Sequence, residues 1–192
     1  MKNGSEKKPV CVITGGSSGI GLATARRMGQ KGYALVLAAR TPKKLDAAIE
    51  ELAAAGVTAT ACRCDISDAG SVQGLAAYAA SLGPVTTVLH IAGMSPHMGD
   101  AEAIMRGNAL GTVHIHDAFY PVIEPGGCLV DTSSMSAYLA PEFIMPKGAF
   151  PLASTDREAL FRKMMARVNL LPKKSRPGAA YAISKYFVIW YA

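Results

Sequence analysis

Short apolar runs alternate with longer stretches of helical spacing across residues 10–132. Val10–Ile13, Tyr33–Ala39, Val57–Ala61, Val85–Ala92 and Cys128–Thr132 read as strands. Between them Gly19–Gln30 and Pro42–Ala55 read as helices, the second stopped by Gly56. A third helix, capped at Ser67-Asp68, is predicted to run to about Ser81, and a fourth lies near Asp100–Tyr120. The strand runs are continuously apolar rather than alternating, as parallel strands covered on both faces are. This rhythm predicts the α/β class: a Rossmann-like, doubly wound parallel sheet in three layers, α/β/α. A single domain over 1–192 is expected.

Phe143 to Ala180 departs from the rhythm. It holds Pro146, Pro151, Pro172 and Pro177, with one helix predicted at about Ser154–Val168. Asp156 and Glu158 fall in that helix's first turn and Arg162, Lys163 and Arg167 later, which matches the helix dipole. Residues from about 141 to 178 therefore read as a helical insertion folded over a site. A last helix starts near Gly178 and is still apolar at Phe187-Val188-Ile189-Trp190-Tyr191.

Composition removes several function classes. Half of the 192 residues are hydrophobic and 18% are charged, which is a globular balance. The net charge of +6 is spread out, with only the short runs Lys7-Lys8, Lys43-Lys44 and Lys173-Lys174, so no nucleic-acid partner is expected. Cys11, Cys62, Cys64 and Cys128 do not form a disulfide framework in a chain this apolar. Cys62-Arg63-Cys64 lacks the second ligand pair of a zinc site, and His114 and His116 do not share a helix face, so no metal is expected. Met1–Pro9 is polar, without the apolar core of a signal peptide, and no run reaches membrane-spanning length. A cytoplasmic protein without a membrane partner is expected.

The candidate chemistry begins at Thr14-Gly15-Gly16-Ser17-Ser18-Gly19-Ile20-Gly21, between the first strand and the first helix. Gly15 permits a tight turn, Gly19 lets backbone approach a pyrophosphate, and Gly21 lets helix pack closely on strand. Ser17, Ser18 and Ile20 complete the loop, and the helix start offers amide donors to phosphate. The second strand ends at Ala39-Arg40, with an arginine where NAD-selective sites often carry an acid. Arg40, backed by Lys43 and Lys44, suits a 2′-phosphate, so NADP is favoured over NAD. Asp65, followed by Ile66, is placed to accept from an adenine amino group. Far downstream, Tyr181 and Lys185 lie four apart on one helix face. A cation beside a phenol lowers its pKa from near 10 toward neutrality.

These motifs, in this order, resemble the short-chain dehydrogenase/reductase family in its shorter, single-domain branch. Thr14-Gly15-x-x-x-Gly19-x-Gly21 resembles its nucleotide loop and Cys64-Asp65-Ile66 its adenine segment. Ile91-Ala92-Gly93 resembles the end of its Asn-Asn-Ala-Gly motif, and Asn108-Ala109-Leu110-Gly111 the segment with its structural asparagine. Leu129-Val130-Asp131-Thr132-Ser133-Ser134 looks like the strand ending in its catalytic serine, and Tyr181-x-x-x-Lys185 is its signature pair. The resemblance implies hydride transfer between nicotinamide C4 and a carbonyl or secondary alcohol carbon. Tyr181 would exchange the proton, and Lys185 would depress its pKa and hold the nicotinamide ribose. Ser134 would bond the substrate oxygen, being the second serine of its pair, and Asn108 would hold a water linking Lys185 to solvent. Ala92 and Gly93 would line the cofactor.

The chain also departs from that pattern. His90 and Ile91 stand where the motif has two asparagines, the segment Gly93–Asn108 is short, and Ser134 and Tyr181 are unusually far apart. The short segment and the insertion are similar to bacterial 3α-hydroxysteroid dehydrogenase/carbonyl reductases. A hydroxysteroid or comparable apolar ketone is therefore the expected substrate. The insertion is expected to shape the substrate mouth or to replace a helical dimer surface, which leaves a homo-oligomer open. The family continues with two more strands and a substrate loop, so a truncated C-terminus and weak or no turnover of the 192-residue chain are expected. The alternative is a nucleotide-binding sensor or partner subunit without catalysis.

Overall fold

The computed structural model describes residues 7–139 and 141–192, so the first six residues of the polar N-terminal stretch lie outside the described residues. The strands are Val10–Thr14 (β1), Ala34–Ala39 (β2), Ala59–Arg63 (β3), Val85–His90 (β4) and Ile123–Asp131 (β5). They form one sheet in the order β3-β2-β1-β4-β5. It is the parallel, helix-flanked, Rossmann-like sheet that the strand–helix alternation predicts. The chain divides into two compact units, the first built from residues up to Asp65, Gly70–Ala92 and His116–Val130. Ile66–Ala69, Gly93–Ile115 and Asp131–Ala192 make the second.

In the first unit the central strands are the apolar ones. β1 is buried throughout and β2 over its middle four residues. β3 and β5 hold no buried residue, only half-buried and exposed ones, so the expectation that every strand is covered on both faces does not hold for them. Both end the strand order, where only one neighbour is available. Gly19–Gln30 (α1) and Pro42–Ala54 (α2) pack Ala25, Leu45, Ala48 and Leu52 against Ile13, Leu35 and Leu37. After α2, Gly56 takes φ 73°, its N–H donates to Ala53 O at 2.9 Å, and the Val57 N–H donates to Leu52 O at 2.9 Å. This closure spends Val57 on the helix end. The third strand therefore starts at Ala59, not at Val57 as the apolar run suggests. Ala69–Leu82 (α3) follows the Ser67-Asp68 pair.

In the second unit the single helix expected over Asp100–Tyr120 is three elements in succession. Ala101–Met105 (α4) leads into a π turn at Arg106–Leu110, and Gly111–Phe119 (α5) continues from it. Asp100 caps α4, accepting the Ala103 N–H at 2.8 Å. The prolines beyond Pro141 give short 3-10 turns at Glu142–Ile144, Lys147–Ser154 and Lys173–Ser175. Between them Arg157–Asn169 (α6) is capped by Asp156, which accepts the Ala159 N–H at 2.8 Å. The final helix, Arg176–Tyr191 (α7), starts two residues before the predicted Gly178. Arg176 explains the start: its guanidinium donates to Leu171 O and Asn169 O, both at 3.0 Å, tying the end of α6 to α7.

The core of this unit gathers Ile104, Met105, Phe150, Leu160, Met164 and Phe187. Arg106 stacks on Phe161 at 3.9 Å and pairs with Glu158 at 3.3 Å, bracing α6 on the π turn. Phe150 meets Phe187 edge-on at 5.2 Å and lies 5.4 Å from Trp190. Removing Phe150 empties a fully buried site, so Phe150→Ala is expected to cost about 3–5 kcal/mol. Trp190 is the sole tryptophan. Its emission in the folded variant should shift toward that of solvated indole, and urea unfolding with fluorescence detection measures both.

Candidate active site

In the first unit the Thr14–Gly21 loop is shaped by backbone contacts. Gly15, at φ 70°, donates its N–H to Ala38 O at 2.8 Å, and a Cβ there would stand 3.0 Å from the Ala92 backbone. A Cβ on Gly21 would stand 2.2 Å from Gly15 O, so the loop and the first turn of α1 touch main chain to main chain. Gly19 has φ 52° with nothing within 4 Å of its absent Cβ. Ser18 begins α1 in extended conformation without closing it by a side-chain bond, and the first turn holds no acid. The open glycine face and uncapped amides suit a phosphate group. Ile20 is 68% exposed, Ser17 half-buried and Ser18 exposed.

Arg40 is exposed directly after β2, with Lys43 and Lys44 exposed in the first turn of α2. Asp65 is half-buried beyond β3, where its N–H donates to Ser71 Oγ at 3.1 Å. Ala92 donates its N–H to Thr14 Oγ1 at 3.1 Å, and that oxygen lies 2.8 Å from His90 Nδ1. His90 thus does more than fill a strand position. These residues fit a dinucleotide cradle. Ile66, counted in the second unit, is buried: a Cβ on Gly111 would meet its Cδ1 at 3.0 Å, and His114 Nδ1 donates to its carbonyl at 3.0 Å.

In the second unit Asn108 sits in the π turn, 2% exposed. Its Oδ1 accepts the Met94 N–H at 2.7 Å, and its Nδ2 donates to Met94 O at 3.0 Å and to Ser184 Oγ at 3.2 Å. Its main-chain oxygen accepts from Thr112 Oγ1 at 2.8 Å. Both amide hydrogens are therefore spent on protein groups. Water at Asn108 can use only an oxygen lone pair.

Lys185 is 6% exposed, and its Nζ donates to Thr132 O at 2.6 Å. Burial holds the ammonium below its ordinary pKa of 10.5, with the Asp131 carboxylate acting in the opposite direction. A Cβ on Gly93 would lie 3.2 Å from Asn108 Oδ1 and 3.4 Å from Lys185 Nζ, so the glycine is what leaves room for both.

The two serines are distinguished by their bonds. Ser133 Oγ donates its proton to Lys185 O at 2.6 Å. Ser134 Oγ accepts from Ser136 N at 3.2 Å and Ser136 Oγ at 2.9 Å, which leaves the Ser134 proton available to another acceptor. Tyr181 is half-buried on α7, and its hydroxyl makes no hydrogen bond among the described residues. Following Ser134, a cavity of about 500 Å³ is lined by Ala137, Tyr138, Leu139, Pro141, Glu142 and Tyr186. Glu142 is paired with Lys147, whose ammonium stands 5.3 Å above the Tyr186 ring.

Met94, Thr112, Thr132 and Ser184 take part in this network without having been marked by the sequence pattern. Met94 and Thr132 act through main-chain atoms, which carry no residue-type signal. Ser184 had one: a small polar residue inside an apolar helix, next to the lysine. Among the described residues no group of three or more His, Cys, Asp or Glu could hold a metal ion. No described helix is long and apolar enough to cross a membrane.

The family profile described as short chain dehydrogenase matches residues 9–146, and the chain belongs to the short-chain dehydrogenase/reductase family. It is 36% identical over 141 residues to 1-deoxy-11-beta-hydroxypentalenate dehydrogenase of Streptomyces avermitilis, covering 67% of this chain and 52% of that protein. Human carbonyl reductase [NADPH] 1 is 27% identical over 192 residues, covering 92% of this chain and 69% of that one. A metagenomic short-chain oxidoreductase solved with NADP superposes with TM-score 0.70 at 25% identity, covering 97% of this chain and 74% of its own. Another solved neighbour is a complex with NAD. The chain spans about half the length of several curated relatives that it matches.

Lys185 should leave a mark on stability. Its folded pKa lies below the ordinary 10.5, so at pH values between the two the unfolded chain binds the proton that the folded chain has lost. Stability then rises with pH across that window and levels off above 10.5. Urea unfolding at a series of alkaline pH values should show the wild type gaining on Lys185→Met as pH climbs. A pH-independent difference would contradict the assignment.

Proposed function

We propose that this chain forms the cofactor and catalytic core of an NADP-dependent oxidoreductase, moving hydride between nicotinamide and an apolar ketone or secondary alcohol of hydroxysteroid size. The proposal rests on one arrangement: Asn108, in a π turn, bonds Ser184, and the next residue on α7 is the buried Lys185, on the helix that carries Tyr181. π turns of this kind cluster at functional sites. NADP, when bound, supplies or accepts the hydride.

The chain's own residues do the rest. The loop from Gly15 to Gly21 and the start of α1 bind the pyrophosphate, and Arg40 with Lys43 and Lys44 binds the 2′-phosphate. Asp65 and Ile66 serve the adenine end, and Ala92 and Gly93 the nicotinamide end. Tyr181 gives a proton to the carbonyl oxygen in reduction and takes it from the alcohol in oxidation. Lys185 as a cation lowers the phenol pKa, and the Asp131 carboxylate supports that charge against burial. Ser134 donates its uncommitted hydrogen to the substrate oxygen, where charge develops. Asn108 holds the Met94 main chain, and with it the approach to Lys185. The cavity after Ser134 offers Tyr138, Leu139 and Tyr186 to an apolar substrate body.

Single-turnover oxidation of bound NADPH by an apolar ketone reads the chemistry even when steady-state turnover is slow. Tyr181→Phe should slow it by about 10²–10⁴-fold with NADPH affinity unchanged. A protein whose function is binding alone would show no oxidation in either form, and that result overturns the proposal.

Cofactor choice is tested separately by fluorescence titration. NADPH should bind more tightly than NADH, and Arg40→Ala should weaken NADPH by about tenfold while sparing NADH. Equal affinities in the wild type would reject the NADP preference.

A further inference from the structure

Thr14 and His90 are register partners on the parallel strands β1 and β4, 0% and 3% exposed. Thr14 Oγ1 accepts the Ala92 N–H and sits 2.8 Å from His90 Nδ1. A threonine hydroxyl has one hydrogen to give. These are the only bonds of that side chain among the described residues. A proton on Nδ1 would leave the buried Thr14 hydrogen with no acceptor among the described residues, so the geometry points to Nδ1 as the acceptor, with the ring proton on Nε2. The bonds therefore run one way, from Ala92 N–H to Thr14 oxygen and from Thr14 O–H to His90 nitrogen.

What this relay holds is the entrance of the nucleotide loop. Gly15 follows Thr14, and a Cβ on it would stand 3.0 Å from both Ala92 N and Ala92 Cα. The first turn of the loop and the Ala92 backbone are thus seated on one another. Thr14 is the side chain that bonds Ala92 while adjoining Gly15. Its rotamer is fixed by the need to reach both partners at once.

We propose that His90 is a positioning residue for the cofactor: through Thr14 it sets the Gly15 turn and the Ala92 backbone against which the dinucleotide lies. This deepens the cofactor reading given above and rests on it. An apolar side chain at position 90 would strip the Thr14 hydrogen of its acceptor and free the hydroxyl to turn away from Ala92. An amide side chain at position 90 could accept in place of the imidazole.

The test compares the wild type with His90→Leu, His90→Asn, Thr14→Val and the double variant His90→Leu/Thr14→Val. NADPH dissociation constants are measured by titration, Ala92 amide exchange by NMR, and the His90 ring nitrogens by ¹⁵N NMR. His90→Leu should raise the NADPH dissociation constant by about tenfold and speed Ala92 exchange. His90→Asn should recover most of both. The double variant should be no worse than the worse single variant, since both break one chain of bonds. The ¹⁵N spectrum should show Nδ1 without a proton. Unchanged affinity and exchange in His90→Leu, additive losses in the double variant, or a protonated Nδ1 would each overturn the proposal. Should His90→Leu fail to fold, Thr14→Val carries the same two readouts. A wild type that binds neither NADPH nor NADH would reject the cofactor reading instead, and Ala92 exchange in His90→Leu would then decide the relay by itself.

Discussion

The second unit is organised around the carboxamide of Asn108. A planar amide with two donors and a carbonyl oxygen is satisfied on three sides, by both main-chain groups of Met94 and by the hydroxyl of Ser184. That demand explains the π turn: an extra residue in the helix aims the side chain where all three partners can be met. The same demand ties the chain leaving Gly93 to the helix that carries Lys185. Left unpartnered, such a group would cost about 1–3 kcal/mol, so helix irregularity and polar network support one another.

The glycine loop of the first unit follows a different logic. Its form comes from backbone against backbone: Gly15 on Ala92, and Gly21 on Gly15. What remains exposed is the start of α1, with amides that no side chain caps. Exclusion of side chains thus shapes this site, while hydrogen bonds shape the other. Both kinds of contact occur in this one chain, whose relatives carry names of carbonyl reductases and dehydrogenases.

How much of this could be read from the sequence depends on where the cause lay. The span Gly19–Gln30 was legible because its opening glycine and its apolar spacing both act locally. The buried centre of the sheet followed from runs such as Val10–Ile13, whereas the order of its strands was not readable from them. The third strand was displaced because Val57 was recruited by the closure of α2 at Gly56, a local hydrogen-bonded ending that the apolar run itself does not reveal. The break in the helix after Met105 was hidden because it depends on Met94 and Ser184, which are distant in sequence. Asn108 and Lys185 could be singled out by motif, but Thr132 and Met94 could not, since they work through peptide groups that every residue has. Arg176, just after the basic pair Lys173-Lys174, satisfies two carbonyls at the end of α6, a use that its charge alone does not announce. His90, which breaks the family's motif, proves to be hydrogen-bonded to the first residue of the nucleotide loop.

The bare α-carbon of Gly93 carries a further implication for how this protein can change. The amide oxygen and the ammonium flanking it are charged or polar groups whose separation from the backbone is set by the absence of a single methyl. Even the smallest replacement would bring a methyl to 3.2 Å from the amide oxygen and 3.4 Å from the ammonium, so that the amide would have to give by a few tenths of an ångström. Drift at that position is therefore resisted by volume before electrostatics enters.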